Sequence, residues 1–505
     1  MVGLNRRLLA FGAWGLVAAG VLARVTRYLA DRPLWADEAT VALAILERSF
    51  GALWVAHPED PVTPVGFLLL TKAATWLFGS GELALRCVPF VASLVALPVF
   101  YAVARVVLTA DEALGALVLF AILEPVVFYS SECKPYATDV LATLLVLWPG
   151  ALVLKAGASR RRLRALGVAG CLGMFFSLSV VFVVFGLVGA LAVAHQRVGW
   201  RPVCALGAAF GLTFGVLFVL VLAPHQENVA RAGWWGTFYA PLSFSREGLA
   251  WYGRTFFAFF NDPVGLPAVG VAAVTFVAGS ARLGVRAPAL LVALMAPIVL
   301  AVGASSLELM PFPADEQYGP LDGYYPFFGR VVLFAVPLVL LVLAAGLSGW
   351  WGLAQPRFGF VGLFGVGFLF AVPAWVLVRN LSSPPVIQDM RALAQQMELH
   401  AEPSDLLFTL GYADPVVAYY APTARLAGVS AVLRARRDEQ VAAVAALVDS
   451  LPVGARFWFA TVHHPHWPTR AERDALLPVF ARYAEPLAGL ESYRGHATLY
   501  RRSGL

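Results

Sequence analysis

Two adjacent carboxylates, Asp37 and Glu38, stand in the stretch Arg32-Pro33-Leu34-Trp35-Ala36-Asp37-Glu38, just beyond the first long apolar run of the chain. One carboxylate can take a proton from a hydroxyl while its neighbour holds a cation, so the pair suits general-base work, with or without a metal. The same acids also fit the start of the amphipathic stretch 39–46, because negative charge is favoured at a helix N-terminus; both readings stand at this point. A second stretch, Tyr129-Ser130-Ser131-Glu132-Cys133-Lys134-Pro135-Tyr136-Ala137-Thr138-Asp139, packs acid, ammonium and phenol groups into one short loop. A charge at the centre of a membrane span costs about 2.5–3.5 kcal/mol, so charges kept near hydrocarbon often serve function. Interfacial anchoring, with Lys134 paired to Glu132, is the plainer alternative. Arg330 follows Tyr324-Tyr325-Pro326-Phe327-Phe328-Gly329, and at that depth a cation can bind a lipid phosphate or snorkel to the surface. With Glu132, Lys134, Tyr136 and Asp139, it joins His57, Asp60 and Lys72 as candidate substrate- and phosphate-binding groups. If a divalent cation takes part, Asp37 and Asp139 are its candidate ligands.

The elements that must position these groups are membrane helices. Of the 505 residues, 60% are hydrophobic and only 13% charged, about half the charge of a soluble domain. A bilayer core about 30 Å thick takes roughly 20 apolar residues per span, and 8–25, 203–222, 287–304, 331–347 and 358–378 meet that need. Helices are the expected element, because lipid cannot satisfy loose backbone polar groups. No basic patch alternates with aromatics on a soluble segment, so the expected partners are membrane lipids and not nucleic acid. The four cysteines, Cys87, Cys133, Cys171 and Cys204, form neither a disulfide framework nor a zinc spacing. Arginine outnumbers lysine 34 to 3, which looks like the codon usage of a GC-rich bacterium and points to a plasma (inner) membrane.

Short cytoplasmic loops are rich in Lys and Arg. Arg6 and Arg7 therefore place the N-terminus inside, and the run Lys155, Arg160, Arg161, Arg162 and Arg164 must also lie inside. That parity holds if 64–78, short and carrying Lys72, lies at the interface and does not span. The helices 83–107, 113–128 and 136–154 then put 130–139 outside, on the same side as Asp37. The chain is thus expected to be an α-helical polytopic membrane protein with about eleven spans over 1–379, with an external loop and juxtamembrane helices at about 26–82. From 380 to 505 charge and proline rise. A helix at 388–400, strands at 406–410 and 456–462, and a helix at 438–450 between them predict a small extracytoplasmic α/β domain. His463, His464 and His466 follow the second of those strands, more in the manner of a polar loop than of a zinc site.

The Asp37-Glu38 pair resembles the first-loop signature of the GT-C glycosyltransferases, above all the protein O-mannosyltransferase and lipid A aminoarabinose transferase group. Pro61–Pro64 opens a helix like that group's Pro-Pro helix; Phe78-Gly79, Glu82 and Arg86 look like its Phe-Gly, acid, Arg run; 131–139 resembles its second external motif; and Gly329-Arg330 precedes a span containing Pro337. Thr40 and Val41 stand where the aminoarabinose enzymes have Arg and Tyr, and the lysine of their proline motif is missing. The resemblance implies an inverting transferase that moves a sugar from a polyprenyl-phosphate carrier to an extracytoplasmic lipid, glycan or protein. It makes Asp37 the base or a metal-organising acid, and Glu38 its partner. Cations at Lys134, Arg330 and Lys72 would offset the charge of the leaving phosphate. A transporter or flippase of lipid-linked sugars is the alternative; an inverted repeat and charges buried at mid-span, common in transporters, do not stand out here.

Overall fold

The computed structural model describes residues 2–55, 57, 62–225, 238–243, 245–313, 328–353, 359–402, 404–410, 413–421, 427–428, 437–462 and 469–504. Contacts divide the chain into two compact units, Met1–Ala30 with Arg48–Pro385, and Asp31–Glu47 with Val386–Leu505.

The first unit is helical. It starts with α1 (Val2–Leu29); α2 (Ala36–Glu47) belongs to the second unit. Then come α3 (Val65–Phe78), α4 (Glu82–Val107), α5 (Ala110–Ile122), α6 (Glu124–Phe128), α7 (Tyr136–Ala156), α8 (Arg160–Phe176), α9 (Val180–Val193), α10 (His195–Val198) and α11 (Trp200–Leu217). After these follow α12 (Arg246–Asn261), α13 (Val269–Arg286), α14 (Pro288–Ser306), a 3₁₀ segment Phe328–Ala335, α15 (Val336–Leu353) and α16 (Gly359–Ser382).

Among the described residues six helices are long and apolar enough to cross a membrane, or seven if α5 and α6 count as one bent span. The sequence leads to the larger figure of about eleven. Part of the difference lies in α8 and α9, which have only 17 and 14 residues. At 1.5 Å per residue they reach about 25 Å and about 21 Å, short of a core about 30 Å thick. Helix α3 has 14 residues, the length of the interfacial helix expected there, and stops at Gly79, whose φ of +88° suits glycine.

The expected straight span over 113–128 is broken. Helices α5 and α6 meet at 57°, with Leu123 extended between them. Pro125 explains the break: it has no N–H for the carbonyl of Ala121, and in a continuous helix its ring would clash there. The stranded carbonyls are served by a cation from α1. Arg24, fully buried, donates through Nη2 to the Phe120 carbonyl at 3.2 Å and through Nη1 to the Ala121 carbonyl at 3.4 Å. A guanidinium suits a helix C-terminus, where the dipole is negative. One turn on, Arg27 lies 4.1 Å from the ring centroid of Phe128 in α6.

Elsewhere the unit closes by small residues. A Cβ at Gly279 in α13 would sit on the Val342 carbonyl, and one at Gly346 in α15 would sit on the Thr275 carbonyl, so only glycine permits this close helix crossing. The basic residues expected inside gather at one end. Lys155 donates to the Val106 carbonyl and Arg286 to that of Val107 at 3.5 Å, at the C-terminus of α4. Glu112, in the capping box that opens α5, bridges Arg282 at 3.2 Å and Arg286 at 3.7 Å.

The second unit holds α2, α17 (Arg391–His400), β1 (Leu406–Leu410), α18 (Ala413–Tyr420), β2 (Ala427–Gly428), α19 (Arg437–Ser450), β3 (Arg456–Val462), α20 (Thr469–Tyr483), β4 (Ala484–Ser492) and β5 (Gly495–Arg502). The sheet order is β2-β1-β3-β5-β4, with β1 parallel to β2 and β3, and with β5 antiparallel to β3 and β4. Phe408, Val444, Phe457, Phe459, Phe480 and Tyr500 fill the core between sheet and helices. Trp458, fully buried, donates its indole N–H to Asp405 at 3.1 Å, and Arg456 donates to the same carboxylate at 3.1 Å.

Candidate functional site

In the helical unit, the bent helix delivers its chain into a 3₁₀ turn, Tyr129–Ser131, and α7 begins at Tyr136. The rings of Tyr129 and Tyr136 meet edge to face with centroids 5.0 Å apart. Arg330 donates from Nε to the Tyr136 hydroxyl at 3.2 Å, which brings together residues 194 apart in sequence. The residue before Arg330 explains its placement. The Gly329 N–H donates to Asp262 Oδ2 at 2.9 Å, and a Cβ at Gly329 would collide with the Asp262 carboxylate and the Pro263 backbone. Glu132, Tyr136, Asp262 and Arg330 all lie within electrostatic reach of the Tyr129 phenol. Lys134 is buried in the same turn, its backbone N–H donating to the Glu132 carbonyl at 2.7 Å. A guanidinium fork beside phenols, in an apolar frame, is suited to phosphate oxygens.

Other expected residues lie differently. Asp139 is buried in the first turn of α7, near Ser177, which lies between α8 and α9 and whose Oγ accepts the Val180 N–H at 3.2 Å. The Lys72 ammonium lies 5.7 Å from the ring centroid of Phe50. His57 is exposed. Asp60 falls outside the described residues, as do His463, His464 and His466.

The two acids belong to the second unit. Both sit in the first turn of α2, and successive helical residues point about 100° apart. Accordingly Asp37 is half-buried while Glu38 is fully buried. The helix entry is tied down by two side chains from beyond Val386. The Leu34 N–H donates to the Tyr420 hydroxyl at 2.6 Å, and the Ala36 N–H donates to Gln388 Oε1 at 3.1 Å. Arg391 pairs with Asp31 at 2.6 Å, and α2 packs on α18. Among the described residues no three His, Cys, Asp or Glu side chains gather as a metal site, and Asp37 and Asp139 belong to different units.

Sequence reasoning passes over Tyr129, Asp262, Ser177, Gln388 and Tyr420 as site residues. Tyr129 opens the loop singled out above, so a local signal existed for it. Asp262, Gln388 and Tyr420 act across 67, 352 and 386 residues of sequence, which no spacing reveals.

Residues 59–225 match the family model described as dolichyl-phosphate-mannose-protein mannosyltransferase. No curated protein sequence matches the chain significantly. Solved structures with the same fold include ArnT from Cupriavidus metallidurans, without ligand and bound to undecaprenyl phosphate. Each aligns with a TM-score of 0.57 and 14% identity over 97% of this chain and 98% of the other. The Archaeoglobus fulgidus oligosaccharyltransferase tethered to an acceptor peptide aligns with a TM-score of 0.53 and 11% identity, over 97% of this chain and 74% of the other. The chain carries a GT-C-type fold, and the resemblance drawn from its sequence to the GT-C glycosyltransferases stands.

Proposed function

We propose that this protein is an integral membrane glycosyltransferase that moves a sugar from a polyprenyl-phosphate carrier to a hydroxyl on an extracytoplasmic lipid, glycan or protein, with inversion at the anomeric carbon. The observation that supports this most is the fold shared end to end with an enzyme whose structure holds undecaprenyl phosphate. The Arg330 guanidinium on the Tyr136 hydroxyl supplies a cation of the right kind for such a phosphate.

The chemistry follows from charge flow. The acceptor oxygen attacks the anomeric carbon and its proton passes to the Asp37 carboxylate. The bond between that carbon and the phosphate oxygen breaks, and the polyprenyl phosphate departs with the electron pair. Arg330 and Lys134 offset its growing negative charge, which is how fixed cations speed such steps. Glu38, buried beside Asp37 along the helix, holds the base in place or organises a divalent cation with it. Lys72 and His57 are assigned to the approach of substrate. The basic end formed by Lys155, Arg282 and Arg286 is assigned to the cytoplasmic side. That choice puts the N-terminus inside, and the loop 129–139 and the α/β unit outside, in a plasma membrane.

The test is transfer from a radiolabelled undecaprenyl-phosphate sugar in proteoliposomes, read as undecaprenyl phosphate released. Asp37→Asn should lower turnover by roughly 10²–10⁴-fold, the usual weight of a general base, with expression unchanged. Near-normal release by Asp37→Asn rejects the base. Label that crosses the bilayer without release of undecaprenyl phosphate rejects the reaction in favour of a flippase.

A further inference from the structure

Resting on the reading of Asp37 as the base, we infer that Gln388 and Tyr420 are positioning residues for it, and that the α/β unit is therefore part of the catalytic apparatus. The first backbone N–H groups of a helix have no partner within the helix, and a helix whose entry is unpinned frays at its first turn. Asp37 and Glu38 occupy that turn of α2. The usual remedy is a Ser, Thr, Asp or Asn immediately before the helix, but Trp35 stands there. The acceptors come instead from elsewhere in the same unit. Gln388 Oε1 takes the Ala36 N–H at 3.1 Å, and the Tyr420 hydroxyl takes that of Leu34 at 2.6 Å.

Gln388 is nearly fully buried, and its Nε2 has no hydrogen-bond partner among the described residues. A buried amide that leaves its own donor idle incurs a desolvation cost; the carbonyl oxygen at α2 is what offsets it. Tyr420 ends α18, the helix on which α2 packs, so the two acceptors grip the entry of α2 from different elements. Together they fix the rotation of α2 about its axis, and with it which way Asp37 points while Glu38 stays buried.

The experiment uses the full-length protein with Gln388→Met, which keeps the volume and removes the acceptor, and Tyr420→Phe. Two readouts are taken: amide deuterium uptake over residues 31–40, and kcat with KM for labelled undecaprenyl-phosphate sugar. Each variant should raise uptake over 31–40 while uptake over 129–139 stays constant. Each should lower kcat by roughly 10–100-fold, the scale of a reacting group displaced by about 1 Å, with KM for the donor within about twofold. Unchanged uptake over 31–40 in both variants overturns the inference, and so does raised uptake with unchanged kcat while Asp37→Asn is inactive. Near-normal turnover by Asp37→Asn, with uptake raised by the anchor variants, rejects the base and upholds the anchoring.

Discussion

The two groups of candidate residues are held by opposite strategies. In the helical unit, Tyr129, Glu132, Lys134 and Tyr136 sit where a proline breaks a helix and a buried arginine accepts the consequences; Arg330 is seated by a glycine that admits Asp262. The acids Asp37 and Glu38 ride on one short, regular helix, and their placement depends on side chains that arrive from a small α/β fold. Distortion positions the first group and docking positions the second. A distorted segment gives way when its compensating partner is lost, whereas a docked helix gives way when its platform does. Substitutions in each unit should therefore fail in different ways.

The largest effect is expected at the platform. Asp405 is buried and accepts from Arg456, from the Trp458 indole and from the Glu402 backbone N–H. Removing it strands the buried Trp458 indole N–H and takes one of two carboxylate partners from the half-buried Arg456, at about 1–3 kcal/mol for each donor left without its acceptor. Asp405→Ala should unfold the α/β unit at a lower temperature and abolish transfer, while residues within α4 and α7 keep their slow deuterium exchange. Concurrent loss of protection in α4 and α7 breaks the comparison, because the two units would then share one stability.

Next in size is Arg330. If it faces the leaving phosphate, Arg330→Gln should lower kcat by roughly 10²–10³-fold, the cost of one donor to a developing oxyanion, and Tyr136→Phe should lower it less. Melting temperature should hardly move for Tyr136→Phe. A large thermal shift with normal kcat would make the Arg330–Tyr136 contact structural.

Several of these elements are legible in the sequence because their causes are local. The helix ending at Phe78-Gly79 and the strands at 406–410 and 456–462 follow from periodicity or from one residue's backbone demands; the Gly329-Arg330 step is legible only through the family resemblance, since Asp262, which demands the glycine, lies 67 residues away. Three strands of the sheet are missed: β2 is only two residues long, Pro486 and a register shift beside Ala488 blur β4, and β5 carries Arg501 and Arg502 at its end. The span expected over 113–128 shows how an average misleads, since its apolar character hides Pro125. Averaging likewise conceals Arg24, whose partners lie 96 and 97 residues away. The grouping of Asp31–Glu47 with the chain beyond Val386 has no signature in composition, because it rests on two hydrogen bonds, the Arg391–Asp31 pair and a packing face.

Arg24 gives the smallest expected effect and the sharpest check. Arg24→Leu removes the donors from the Phe120 and Ala121 carbonyls, and an unsatisfied buried acceptor costs about 1–3 kcal/mol. The melting temperature should fall, and transfer should fall with it, because the turn Tyr129–Ser131 follows directly on α6. The cause assigned to the break supplies its own control. If Pro125 is what strands the Ala121 carbonyl, then Pro125→Ala restores an N–H at the position a continuous helix would use. In the Arg24→Leu background that second change should recover part of the lost melting temperature, although alone in the native background it should be neutral or destabilising. Stability would return without function, since straightening α5 into α6 moves the loop that carries Glu132 and Lys134. Recovery of both would mean that the bend serves packing alone; recovery of neither would mean that Arg24 stabilises α1 by some route other than these carbonyls.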